Sequence, residues 1–167
     1  VVSSELNEIL NSTSTFLEKL TGEVRVQTES YKEILGKDQA NKEFFRHLPA
    51  LLPMQGNYNK NDFGIRKHPV LGVTKFHEGI DIINGVGTSV YSPGDGIVEF
   101  AGQSGNGYGL IIHIKHGYGY ETLYGHLSKA LVREGQRVKR GDLIARSGNS
   151  GLVSGPHLHY EIHLKGV

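Results

Sequence analysis

From His157 to Leu164 the chain alternates without a break. His157, His159, Glu161 and His163 fall on one parity, and Leu158, Tyr160, Ile162 and Leu164 on the other. Period two marks a half-buried strand, because successive side chains leave opposite faces of the pleat. One face is apolar; the other carries two imidazoles in register. Side chains at i and i+2 lie roughly 6.5 Å apart along a strand, so the rings of His157 and His159 point into one small volume. A solvated strand face can carry a lone His-x-His pair too, so the meaning of this one depends on other histidines.

His77-Glu78-Gly79-Ile80-Asp81 is the second piece. On a straight strand a His and an Asp four residues apart would be separated by about 13 Å, too far to share a metal whose bonds are about 2.0–2.2 Å long. Gly79 permits a bend between them. With that bend, His77, Asp81 and one histidine of the 157/159 pair supply two imidazoles and a carboxylate. A fourth position is then left for water, the open, catalytic form of zinc coordination. The third piece is Tyr124-Gly125-His126-Leu127-Ser128, which closes an alternating run with Tyr120, Thr122, Tyr124 and His126 on one parity, and Thr122 and Tyr124 are read as groove-facing partners of His126.

In this order the three pieces resemble the LytM/lysostaphin-type zinc endopeptidases, which cut peptidoglycan cross-bridges. The motifs that carry the resemblance are His77-x-x-x-Asp81, His126-Leu127-Ser128 and Ser154-Gly155-Pro156-His157-Leu158-His159-Tyr160-Glu161. It extends through Phe63-Gly64-Ile65-Arg66-Lys67-His68-Pro69, Pro93-Gly94-Asp95-Gly96-Ile97-Val98 and His116-Gly117-Tyr118-Gly119, and covers the chain from Leu48 to its end. The resemblance implies a zinc ion held by His77, Asp81 and His159, with His126 and His157 as catalytic histidines beside it. His68-Pro69 belongs to the same signature and is expected near the groove.

Composition sets bounds on this reading. The 23 glycines among 167 residues, together with many short alternating runs, favour a mainly β, antiparallel domain dense in turns. Cysteine is absent, so there is no disulfide framework and no thiolate site, and histidine and carboxylate are the available metal ligands. A formal net charge of +1 with no basic run gives no case for a nucleic-acid partner or a membrane-binding patch. No apolar run approaches the roughly 18 residues of a membrane span. The chain begins at Val1 rather than Met, so it is expected to be a fragment whose precursor carried a signal peptide or anchor.

Residues 4–46 differ in character from the rest of the chain. Leu6, Leu10, Thr13, Leu17, Leu20, Val24, Gln27, Tyr31 and Ile34 recur at steps of four and three, a heptad-like, coiled-coil stripe interrupted by Thr13 and Gln27. One long helix or a helical hairpin is expected, with Gly36 as a C-cap and a helix-pairing partner for the stripe. Pro49, Pro53, Gly56 and the polar run after them mark a boundary. The division is therefore residues 1–47, a helical segment and linker, and residues 48–167, a zinc peptidase domain.

Within that domain Gly87-x-x-Val90-x-x-x-Gly94-Asp95-x-Ile97 resembles Gly135-x-x-Val138-x-x-Gly141-Asp142-x-Ile144, a duplicated hairpin motif. Such hairpin pairs also occur in biotinyl and lipoyl carrier modules, for which Lys139 would be the nearest modifiable lysine. Between the copies, Leu110–His116 and Tyr120–Leu127 form a hairpin turned by Gly117-Tyr118-Gly119. His113 and His116 point to opposite faces of its first strand and are read as structural, as are His47 and His68.

The resulting expectation is a zinc-dependent endopeptidase acting on peptidoglycan cross-bridge peptides in the cell envelope. A zinc-bound water has its pKa lowered toward 7. The chain lacks His-Glu-x-x-His, so His126 and His157 replace the usual glutamate as proton carriers. Glu161 is read as a carboxylate that orients a ligand ring. The alternative is a catalytically silent envelope protein that binds peptidoglycan or activates another cell-wall hydrolase.

Overall fold

The computed structural model describes residues 2–59, 62–67 and 72–166. The His68-Pro69 pair, expected near the groove, lies outside the described residues. The chain divides into two compact units after Glu43.

A single helix, α1 (Val2–His47), forms the N-terminal segment. The expected cap at Gly36 is absent: the helix runs through both Gly22 and Gly36. Each glycine costs only about 1 kcal/mol against alanine, which does not outweigh the uninterrupted hydrogen bonding on either side. Exposed i,i+3 and i,i+4 ion pairs, Lys32–Glu29, Lys37–Glu33 and Lys42–Asp38, add small increments along the outside. Along the heptad stripe Leu17, Val24 and Ile34 are each more than half exposed. Among the described residues no helix is long and apolar enough to cross a membrane.

The last turn of α1 belongs to the second unit. Phe44 packs edge-on against Tyr118 at 5.2 Å, Arg46 pairs with Asp95 at 2.8 Å, and Arg140 Nη2 donates to Leu48 O at 2.8 Å and also to Phe45 O. The helix stops there because Leu48 precedes Pro49, whose ring disfavours the helical region for its predecessor.

Beyond that turn, every strand pairing among the described residues of the second unit is antiparallel. Its strands are β1 (Asn57–Tyr58), β2 (Gly64–Lys67), β3 (Thr74–His77), β4 (Ile80–Ile83), β5 (Ser89–Tyr91), β6 (Gly96–Ser104), β7 (Gly109–Gly117), β8 (Tyr120–Leu127), β9 (Lys129–Ala130), β10 (Arg137–Val138), β11 (Leu143–Arg146) and β12 (His157–Leu164). A seven-stranded sheet has the order β1-β4-β12-β8-β7-β6-β10, a three-stranded sheet β5-β11-β9, and β2 pairs with β3. Val90, Val98, Ile112, Ile114, Tyr124, Ile144 and Leu158 are among the residues that close the core.

Both repeat copies are present, but neither closes on itself. β5 of the first copy pairs with β11 of the second, and β10 of the second pairs with β6 of the first. The two Gly-Asp turns lock together: Ser92 N donates to Asp142 O at 2.9 Å, Gly141 N to Ser92 O at 2.8 Å, and Arg140 N to the Asp95 carboxylate at 2.8 Å. Lys139, the nearest modifiable lysine, lies in the turn between β10 and β11, whose Gly141 N is tied to Ser92 O. The β7–β8 hairpin forms as expected, with Gly117, Tyr118 and Gly119 all at positive φ. His116, fully buried, joins Asp95 O and Thr122 Oγ1, and Thr122 Oγ1 in turn donates to the Tyr124 hydroxyl.

Candidate metal centre

Strand β12 lies between β4 and β8, with His159 opposite Asp81 on one side and Gly125 on the other. This pairing brings residues far apart in the chain to one place. Asp81 Oδ1 stands 2.9 Å from His159 Nδ1, 3.3 Å from His77 Nε2 and 3.5 Å from His157 Nε2. His77 Nε2 and His159 Nδ1 are 3.0 Å apart. The chain turns sharply between β3 and β4, which carries His77 back over Asp81. Gly79, in that turn, is required for space: a Cβ there would collide with Tyr160 O and lie 2.8 Å from Glu161 Cγ and 3.0 Å from His159 Cε1.

Each imidazole of the cluster has one nitrogen committed to an acceptor. His77 Nδ1 faces Asp62 O at 2.7 Å, His126 Nδ1 faces Ser150 O at 2.8 Å, and His157 Nδ1 faces Gly155 O at 2.8 Å. His159 uses Nε2 on Glu161 Oε1 at 2.7 Å. These acceptors direct an N–H outward in all four rings. The nitrogens turned inward are Nε2 of His77, His126 and His157 and Nδ1 of His159, the last within hydrogen-bond distance of Asp81 Oδ1.

Glu161, 2% exposed, is satisfied by His159, by His163 Nε2 at 2.7 Å and by the Tyr108 hydroxyl at 2.8 Å. Burial opposes its ionisation, but these donors hold it down to about 2. Burial likewise works against a charge on Asp81, and the His159 and His77 rings overcome it and keep the carboxyl far below the usual carboxylate range. For His159 burial disfavours protonation, yet Asp81 and Glu161 raise it to about 9.

The donor set fits zinc. Four-coordinate zinc with bonds of about 2.0–2.1 Å sets its ligand atoms about 3.3–3.4 Å apart. His77 Nε2, Asp81 Oδ1 and His159 Nδ1 form a triangle with edges of 3.0, 2.9 and 3.3 Å. These three are grouped with metal-binding geometry, as are Glu99, His113 and Glu121. The second group differs in kind. His113 directs Nδ1 to Glu99 at 2.8 Å and Nε2 to Glu121 at 3.1 Å, and Lys115 also pairs with Glu99. That is a ladder of paired side chains across β6, β7 and β8, and one of its two carboxylates is already occupied by a lysine.

His126 departs from the strand alternation. Tyr124 and Thr122 share its parity but lie in the core, whereas His126 adopts φ 60° and turns toward His157, with ring centroids 4.7 Å apart. A left-handed conformation in a non-glycine residue costs on the order of 1–3 kcal/mol and is found at functional sites. Burial, assisted by the neighbouring His157, lowers His126 to about 4. Its ring therefore stays neutral near pH 7.

The cluster forms one wall of a groove of about 640 Å³, with Phe76, Tyr108, Leu152 and Pro156 among its apolar lining and Lys75 and Glu78 adding charge. The five residues singled out in the sequence, His77, Asp81, His126, His157 and His159, all line it. Sequence reasoning missed Asp62, Arg66 and Tyr108 as contributors. Arg66 stands inside a family motif that gives it no role, and Tyr108 sits in a glycine-rich run with no periodic signal.

Residues 75–167 match the model of peptidase family M23, and the chain belongs to that family. The resemblance to LytM/lysostaphin-type enzymes stands on solved structures as well. The catalytic domain of lysostaphin from Staphylococcus simulans superposes with a TM-score of 0.60 at 32% identity, over 66% of this chain and 84% of that one. A zinc-containing peptidase from Vibrio cholerae gives a TM-score of 0.59 at 40% identity, over 68% of this chain and 36% of that one. By sequence, the peptidoglycan DD-endopeptidase ShyC of Vibrio cholerae is 36% identical over 158 residues, 95% of this chain and 34% of ShyC. The chain thus spans about a third or less of the length of the curated relatives heading the comparison.

Proposed function

We propose that this chain is the catalytic part of a zinc-dependent endopeptidase that hydrolyses peptide cross-links of bacterial peptidoglycan. The observation that carries the reading is the convergence of His77 Nε2, Asp81 Oδ1 and His159 Nδ1 in a groove that His126 and His157 also line. His77, Asp81 and His159 are the residues that would hold zinc, and when bound the ion supplies Lewis acidity toward a carbonyl and acidifies water.

The protein's own part is proton handling and orientation. His126 and His157 each anchor Nδ1–H on a backbone carbonyl, which fixes the ring and leaves Nε2 as an acceptor. One of them takes the proton of the attacking water onto Nε2, and the N–H so formed donates toward the oxygen that gains charge before the proton is returned to the leaving amine, work worth about 10²–10⁴-fold in rate. Glu161 holds the His159 ring so that Nδ1 faces the centre. Tyr108 keeps its proton, since burial and Glu161 both raise its pKa, and its hydroxyl donates to Glu161.

Among cross-links we favour the direct amide between D-alanine and a diamino acid over a glycine bridge. Support comes from the DD-endopeptidase relative, whose match extends along most of this chain. We further propose that the chain acts in the cell envelope, where this substrate lies, and that the exposed stripe of α1 pairs with a helix of a partner.

The deciding experiment digests purified sacculi and separates the fragments by mass spectrometry. Loss of cross-linked dimers with intact glycan strands is expected. New reducing sugar ends would refute the reading.

A further inference from the structure

Arg66 touches the metal centre from outside, and proton handling by the histidines gives it no part. Its Nη2 donates to Asp81 Oδ2 at 2.6 Å, on the oxygen opposite the one that meets the two histidines. Its Nε lies 3.4 Å from Asp62 Oδ1. That contact is an ion pair without a hydrogen bond, but Asp62 holds the same cluster by two hydrogen bonds: its Oδ2 accepts from Asp81 N at 3.0 Å, and its carbonyl accepts from His77 Nδ1 at 2.7 Å. Two residues of the segment leading into and forming β2 thus grip two of the three ligand residues.

The chemistry of a carboxylate explains why such a grip matters. Asp81 has two oxygens, and a catalytic centre needs one of its four positions left open. If Oδ2 swung in beside Oδ1, it would take that position. A charge-assisted bond of 2.6 Å from a guanidinium is among the stronger ways to hold it away. The cation also needs a counter-charge, since an unpaired guanidinium beside a divalent ion would repel it. Asp62 supplies one, so the pair adds no net charge to the site. Arginine suits the position because its planar fork reaches two carboxylates from one stem, which a lysine ammonium does less well.

We propose that Arg66, steadied by Asp62, is a positioning residue that ties Asp81 Oδ2 so that Asp81 offers the metal one oxygen only. The inference rests on the zinc site proposed above and concerns its coordination number.

The test uses the full chain loaded with cobalt in place of zinc, and reads the visible absorption without substrate. The wild-type protein should give the intense bands of a four-coordinate ion. Arg66→Met, which removes the donors, should still bind one cobalt per chain but give the weaker bands of a higher coordination number, with activity of the zinc form down about 10–100-fold. Arg66→Lys, which keeps one donor for Oδ2, should restore most of the four-coordinate spectrum. Circular dichroism checks each fold, and Arg66→Ala, equally donor-free, decides the matter where Arg66→Met does not fold. A donor-free variant with the wild-type spectrum overturns the proposal, and so does an Arg66→Lys spectrum that matches the donor-free one. A protein that shows the expected spectra yet leaves sacculi intact defeats the functional reading and leaves this one standing.

Discussion

His77 Nε2 and His159 Nδ1 face each other at 3.0 Å, while the other nitrogen of each ring is turned to an acceptor outside the centre. The two inward nitrogens can meet on one cation once His159 gives up its Nδ1 proton. Asp81 Oδ1 completes the triangle. The protein should therefore bind about one zinc per chain. Alanine at His77, Asp81 or His159 leaves two protein ligands, so zinc content and activity should fall together. Elemental analysis of each variant alongside sacculus digestion checks this, and full zinc in His159→Ala with loss in His157→Ala would exchange the roles of that pair.

His126 and His157 should behave otherwise. Neither belongs to the triangle, so His126→Ala and His157→Ala should keep zinc near full occupancy while kcat drops about 10²–10⁴-fold. The double variant should lose less than the product of the two, because both residues act on one transition state. Steady-state kinetics on a cross-linked muropeptide measures it.

Glu161 is the buried carboxylate behind His159. Glu161→Ala frees the His159 ring and removes the acceptor of Tyr108 and His163. Zinc affinity should weaken about 10–100-fold, the usual effect of losing a ligand's hydrogen-bond partner. Competition with a chelator of known affinity reads it directly.

Gly79→Ala places a methyl against Tyr160 O, Glu161 Cγ and His159 Cε1. Two of these are parts of a strand and a ligand ring that have little freedom to yield. The cost should be about 1–3 kcal/mol, typical of overpacking, visible as a lowered Tm. Zinc affinity should fall as well, because the displaced group is a ligand.

His116 gives the chain a pH dependence separate from the metal centre. Burial lowers its pKa below the usual histidine value, so the unfolded chain takes up its proton at a higher pH than the folded one. The sign follows from linkage: its contribution is complete above about 6.5, the unfolded value, and is lost as pH falls from there toward the folded pKa. Denaturant titrations between about pH 7.5 and about pH 5 should show stability declining with acidity, in a range above that where ordinary carboxylates titrate. A flat profile would remove His116 as the cause.

Much of the site is legible in the residues themselves. Alternation at 157–164 places His157 and His159 on one strand face, and Gly79 between His77 and Asp81 signals the turn that stacks them. The family motifs then order these pieces. Periodicity, however, is a local property, and it misleads where the backbone leaves the regular strand. It puts Thr122 and Tyr124 in the groove with His126, but both are fully buried in the core, and φ 60° at His126 turns only that ring toward His157. It also reads the two Gly-Asp repeats as closed hairpins, because strand pairing over distance leaves no mark on either copy, and only the fold shows β5 with β11 and β6 with β10. Gly36 has the look of a helix end, yet flanking helix formers carry α1 through it to the turn anchored by Phe44 and Arg46. The grip of Asp62 and Arg66 on Asp81 and His77 spans as many as 19 residues of sequence and depends on β2 pairing with β3. The sequence by itself determined which residue types meet at the metal centre. Their distances, their tautomers and the oxygen that Asp81 turns to the metal were decided by tertiary structure, because hydrogen bonds between strands remote in the chain set those angles.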